Sequence, residues 1–173
     1  MYVSSDYRIR FNGDSEANRK LANWFSDELD QNVAVGPETH VEEDATHNFV
    51  EDLWEWLEPE IENHPKASLV VEGVIDSSST GGEYEDFRFE IHDGRIAAYR
   101  SGWYLEYCKE DFFDFEDFCE CCGGEESPIC TKEEFDAFES DYFYVLEDGD
   151  GRIYEEIPLR GPITSKRELF DRK

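Results

Sequence analysis

From Leu21 to Pro65 the chain contains no lysine or arginine, yet this stretch holds 13 carboxylates. The pattern returns between Glu110 and Gly151, where 16 Asp or Glu residues face one base, Lys132. Over 173 residues, 44 acids against 16 bases leave a formal charge of −28. A compact state carrying that charge repels itself, so a substantial apolar core must offset the repulsion. The residues for such a core are present: 39% of the chain is hydrophobic and 15% is aromatic. Disordered acidic tails are poor in aromatics, so a folded chain is expected here, with its carboxylates at fixed positions.

Hydrophobic periodicity outlines the elements. Tyr7, Ile9 and Phe11 alternate with charged residues and predict a first strand. Asn12-Gly13 ends it, and Asp14 or Ser15 would cap a helix running to about Leu29. Val33 and Val35 allow a short strand before Gly36-Pro37. Phe49, Val50, Leu53, Trp54, Leu57 and Ile61 follow helical spacing, and Pro59 is expected to end or kink that helix near Glu58. A three-stranded meander follows over Ala67–Asp76, Tyr84–Ile91 and Ile96–Tyr107, with Asp93-Gly94 as a two-residue turn. Between the first two strands, Ser77 to Gly82 reads as a flexible loop.

Beyond the meander, Lys109 to Glu120 predicts a short acidic helix. Thr131, with Glu134 three residues on, predicts a capped helix containing Phe135 and Phe138. Tyr142–Leu146 and Ile153–Ile157 would pair as a hairpin about Asp148-Gly149-Asp150-Gly151, a run read as a turn in preference to a calcium loop. The expected fold is α+β: an antiparallel sheet, meander plus C-terminal hairpin, with helices packed on one face. One domain would span 1–159, leaving 160–173 as a basic, mobile tail.

Five cysteines and no apolar leader after Met1 point to a reducing cytoplasm, with thiols free or metal-bound. Cys119 and Cys122 form a C-x-x-C followed by Gly123-Gly124, the local pattern of a zinc knuckle. Cys108 and Cys130 would complete a tetrahedral structural zinc site that staples residues 108–130. Cys121 and His92 are substitute ligands, and buried or idle thiols are the alternative. His40 and His47 flank Glu42, Glu43 and Asp44, where a surface metal is conceivable but solvated loop residues are the simpler reading. No nucleophile stands at a meaningful spacing from a base, and no glycine-rich phosphate loop follows a strand, so no enzyme is expected.

The carboxylates themselves carry the functional expectation. Glu51, Asp52, Glu55, Glu58 and Glu62 fall largely opposite the apolar side of the second helix. Helical neighbours three or four apart stand about 5–6 Å from one another, close to the spacing of successive phosphates. An uncompensated row of this kind destabilises an isolated helix. Asp111, Asp114, Glu116 and Asp117 form a second set, interleaved with Phe112, Phe113, Phe115 and Phe118. Those rings are either partner contacts or the core face of a short helix. A domain of this length is roughly 40 Å across, and that length of duplex carries about 24 phosphate charges, the same order as the net charge.

In size, charge and compact build the chain resembles the small acidic inhibitors encoded by phages and mobile elements, the anti-CRISPR and anti-restriction class. The resemblance involves no motif, so no functional residue is carried over. It implies a nucleic-acid mimic that binds a basic nucleic-acid-binding protein, an RNA-guided nuclease or a restriction enzyme, and fills its channel in the host cytoplasm. Nucleic acid and membrane would not be bound directly. The other readings are a halophile-adapted domain, an acidic chaperone of basic proteins and a zinc-dependent enzyme.

Overall fold

The computed structural model describes residues 3–77, 82–122, 131–147 and 153–171. The chain is α+β, built on an open antiparallel sheet of eight strands. The strands are β1 (Val3–Phe11), β2 (Thr39–Asp44), β3 (Leu69–Ser77), β4 (Glu83–His92), β5 (Arg95–Arg100), β6 (Tyr104–Cys108), β7 (Tyr142–Leu146) and β8 (Arg160–Ile163). The main order is β2-β1-β3-β4-β5-β8, while β6 pairs with both β4 and β7. The helices are α1 (Glu16–Leu29), α2 (Phe49–Asn63), α3 (Phe115–Cys122), α4 (Lys132–Ala137) and α5 (Lys166–Phe170).

Strand alternation sets the core. Tyr7, Ile9, Phe11, Leu69, Val71, Ile75, Phe87, Phe89 and Ile91 point to one face and are buried. Leu21, Ala22 and Phe25 of α1 and Val50, Leu53, Trp54, Leu57 and Ile61 of α2 join them in one cluster. Ring pairs tie helix to sheet, with Phe49 at 5.6 Å from Phe87 and Trp54 at 6.1 Å from Phe89. The Ser15 side chain accepts from the Asn18 amide at 3.1 Å and starts α1 as expected. At Asp93-Gly94 both residues have positive φ, 53° and 71°, the conformation a tight primed hairpin requires. Gly73 is the close-approach glycine: a Cβ there would lie 2.5 Å from the Cα of Tyr7 on the paired strand.

Four expectations are corrected. The helix does not end near Glu58: α2 runs through Pro59 to Asn63, because Leu57 and Ile61 are both buried and hold the last turn against the sheet. The second strand is not at Val33 but at Thr39–Asp44, paired along its length with β1. The return strand breaks at Gly102 (φ +78°) into β5 and β6. The basic tail is an integral part of the fold. Its β8 pairs with β5, its α5 is capped by Ser165, and Ile163 and Leu169 are fully buried.

A second, smaller cluster lies under β6, β7, α3 and α4. Phe118, Phe135, Phe143 and Val145 form it, with Tyr107, Phe112, Phe115 and Phe138 against them. Phe118 and Phe135 stack at 5.2 Å, and Thr131 with Glu134 forms the capping box that starts α4. Among the described residues the predicted C-terminal hairpin shows one bridge, Tyr144 to Tyr154, while β7 pairs along its length with β6. The Asp148–Gly151 turn and most of the Ser77–Gly82 loop lie outside the described residues.

Candidate functional site

The acidic row of α2 does not survive as a row. Asp52, Glu55 and Glu62 are exposed, but Glu58 is half-buried and accepts the Trp54 indole N–H at 2.7 Å. Asp52 accepts the Thr46 hydroxyl at 2.9 Å, and Glu55 pairs with Lys166 at 3.0 Å. Glu51, expected at the surface, is only 4% exposed. It turns inward from α2 to meet Arg100 of β5.

Glu51 belongs instead to a buried charge cluster. The Arg100 guanidinium donates from Nε and Nη2 to both oxygens of Glu85, at 3.2 and 2.5 Å, and from Nη1 to Glu51 Oε1 at 2.9 Å. Glu85 is 1% exposed. Burial raises the Glu85 pKa above the usual carboxylate value; Arg100 opposes the shift and Glu51 adds to it. Burial alone would weaken the Arg100 cation, but Glu85 and Glu51 outweigh that and hold its proton more tightly. Beside the cluster, Tyr104 donates its hydroxyl to Asp86 at 2.7 Å, and burial raises the Asp86 pKa despite that bond.

The cluster forms part of the wall of a cavity of about 550 Å³ that is open to solvent. His47 and Trp103, with ring centroids 5.2 Å apart, line it together with Ser101 and Arg160. This site uses Glu85 and Arg100 from the meander and Trp103 from its break, none of which stood out as functional in the sequence. The only prior signal was an arginine and a glutamate on inward positions of otherwise apolar strands.

The second acidic set maps to the smaller cluster. Asp111, Asp114 and Glu116 are exposed, and Asp117 is half-buried. Asp114 accepts the Asp117 amide at 2.9 Å and so caps α3, while Asp117 accepts the Phe113 amide at 3.0 Å. Phe118 is core, Phe112 and Phe115 pack against it, and Phe113 is 95% exposed. Glu106, Glu110, Glu120, Glu133, Asp136, Glu139 and Asp141 are exposed on the same part of the chain. Between Tyr104 and Leu146 the described bases are Lys109 and Lys132. The Lys109 ammonium donates to the Phe138 carbonyl and lies over the Phe135 ring.

No family model, no curated protein and no solved structure matches this chain.

The metal expectations stand apart. Cys108 and Cys119 are free and half-buried, and reduced hydration followed by the Glu116 charge raises the Cys119 thiol pKa. The Cys122 side chain and Cys130 lie outside the described residues. Among the described residues, Asp6, His40 and Glu42 are the one group whose donor atoms converge, within 4.8 Å, and all three are exposed. Asp6 and Glu42 are direct cross-strand partners, so His40, 2.5 Å from Asp6, stands between two like charges. His47 lies against Trp103 instead. No helix among the described residues is long and apolar enough to cross a membrane.

Proposed function

We propose that this protein is a nucleic-acid mimic that binds the basic channel of a DNA- or RNA-handling protein, with the region from β6 to β7 as its contact surface. The observation that carries the reading is the set of exposed carboxylates there, Asp111, Asp114 and Glu116 among them, around two bases. In the main sheet the bases meet acids locally: Arg8 and Arg10 lie near Glu38, and Arg88 near Glu72 and Glu90. The small aromatic core packs α3 and α4 against β6 and β7 beneath these carboxylates. Phe113 and Tyr142, 95% and 52% exposed, add apolar contacts of the kind found at protein interfaces.

The test is binding of the full chain to a purified RNA-guided nuclease and a restriction endonuclease, with a short DNA duplex as competitor. The expected result is a complex that duplex displaces and that weakens steeply with salt. The triple variant Asp111→Asn, Glu116→Gln, Glu120→Gln should mainly slow association. Failure to bind either enzyme, or a complex that duplex cannot displace, would sink the reading.

A further inference from the structure

We infer that the open edge of β2 is a docking site for an extended, basic segment of a partner protein, added to the sheet as one more strand. The inference does not depend on the acidic region from β6 to β7. Along an antiparallel strand, residues that bond to a given neighbour alternate with residues that bond away from it. The Ala45 amide donates to the Val3 carbonyl, in register with the β1 pairing, so the odd residues of β2 bond to β1. The amides and carbonyls of His40, Glu42 and Asp44 therefore face the open edge. The Gln31 side chain reaches one of them there, donating to the His40 carbonyl at 2.7 Å. Among the described residues, no hydrogen bond meets the three amides or the Glu42 and Asp44 carbonyls. Sheet edges are commonly blunted by lysine or proline, and Thr39–Asp44 holds neither.

Charge selects the occupant. Val41 joins the core, so His40, Glu42 and Asp44 carry their side chains on the opposite, solvent face of the sheet, where all three are exposed. On that face Asp6 stands directly across from Glu42, and Asp76 lies beyond Ser4 from Asp44. Asp6, Glu42, Asp44 and Asp76 line one cavity of about 460 Å³ that has no base in its lining. His40 stands between Asp6 and Glu42, at 2.5 and 3.8 Å, and the next base along β1, Arg8, is drawn to Glu38 at 3.7 Å. Opposite charges facing each other across a strand pair stabilise it, and like charges destabilise it. An added antiparallel strand with Lys or Arg opposite Glu42 and Asp44 lays its cations on this same face. Main-chain bonds then supply affinity, and the alternate side chains supply specificity.

The probe is a blocked Lys-Val-Lys-Val-Lys peptide, titrated into the full chain at fixed ionic strength and followed by amide NMR. The expected result is saturable binding, with shifts centred on His40, Glu42 and Asp44 and slower hydrogen exchange at the Glu42 and Asp44 amides. Methylating the central lysine amide removes a main-chain donor and keeps every charge, and should weaken binding several-fold. The matching Glu-Val-Glu-Val-Glu peptide should not bind. Glu42→Lys, at an exposed position, should weaken binding of the lysine peptide several-fold, whereas the triple variant Asp111→Asn, Glu116→Gln, Glu120→Gln should bind it like the parent. Equal affinity for the methylated peptide would mean charge attraction without strand pairing and would overturn the assignment. So would shifts confined to the region from β6 to β7, or the absence of saturable binding.

Discussion

Arg100 is the residue on which the interior electrostatics turn. Its removal strands two carboxylates, Glu51 and Glu85, that are almost wholly buried. Breaking one side of a buried pair typically costs about 3–5 kcal/mol. Arg100→Met should therefore destabilise by about that amount in denaturant unfolding, and the triple variant Arg100→Met, Glu51→Gln, Glu85→Gln should recover most of it. If the single variant is as stable as the parent, the cluster is not a buried ion pair. Glu85 and Asp86 also set a pH dependence. Burial raises both pKa values above 4.5 and 3.8. A raised folded-state pKa means stability that is fully present below the unfolded value and lost as pH rises through the folded one. Over the interval just above the ordinary carboxylate pKa values the melting temperature should accordingly rise as pH falls, and Glu85→Gln should flatten that rise. A melting temperature that falls steadily over the same interval would contradict the assignment.

At the scale of elements, the short C-terminal pieces matter more than their length implies. Ile163 and Leu169 are fully buried, and β8 covers one side of β5. Burial of each such side chain is worth about 1.5–3 kcal/mol. Deleting residues 160–173 should lower the melting temperature by about 10–20 °C; an unchanged melt would mean that α5 and β8 are dispensable. The sequence made some elements plain and hid others for physical reasons. Ser15, Asp93-Gly94 and Thr131 with Glu134 are local devices, and each acts where local chemistry placed it. Strand β2 reads Thr-His-Val-Glu-Glu-Asp, too charged to resemble a strand, and is held by its pairing with β1. Strand β8 is four residues long and contains Pro162, so only its tertiary partner reveals it. The inward turn of Glu51 was hidden because its partner, Arg100, stands 49 residues away along the chain.

For the molecule as a whole, the charge of −28 should make stability depend on ionic strength. Raising sodium chloride from about 10 mM to about 1 M shortens the screening length from roughly 30 Å to 3 Å. Self-repulsion then fades, and the melting temperature should rise while unfolding stays cooperative at the low-salt end. A chain that folds only in molar salt would point to halophilic adaptation and away from mimicry. The two apolar clusters explain how the chain tolerates its charge: apart from Glu51 and Glu85 the acids ride on helix flanks, loops and outward strand positions, while most rings, Phe113 and Tyr142 aside, point inward.

The placement of β2 at the free edge of the sheet has one more consequence. An edge strand offers unmatched amide and carbonyl groups to any other strand, the usual start of self-association. Here Glu42 and Asp44 stand exposed along that edge. A second copy approaching in register would bring matching carboxylates together. The acidity thus acts as a guard against polymerisation, keeping a sheet with an open side dispersed at high concentration.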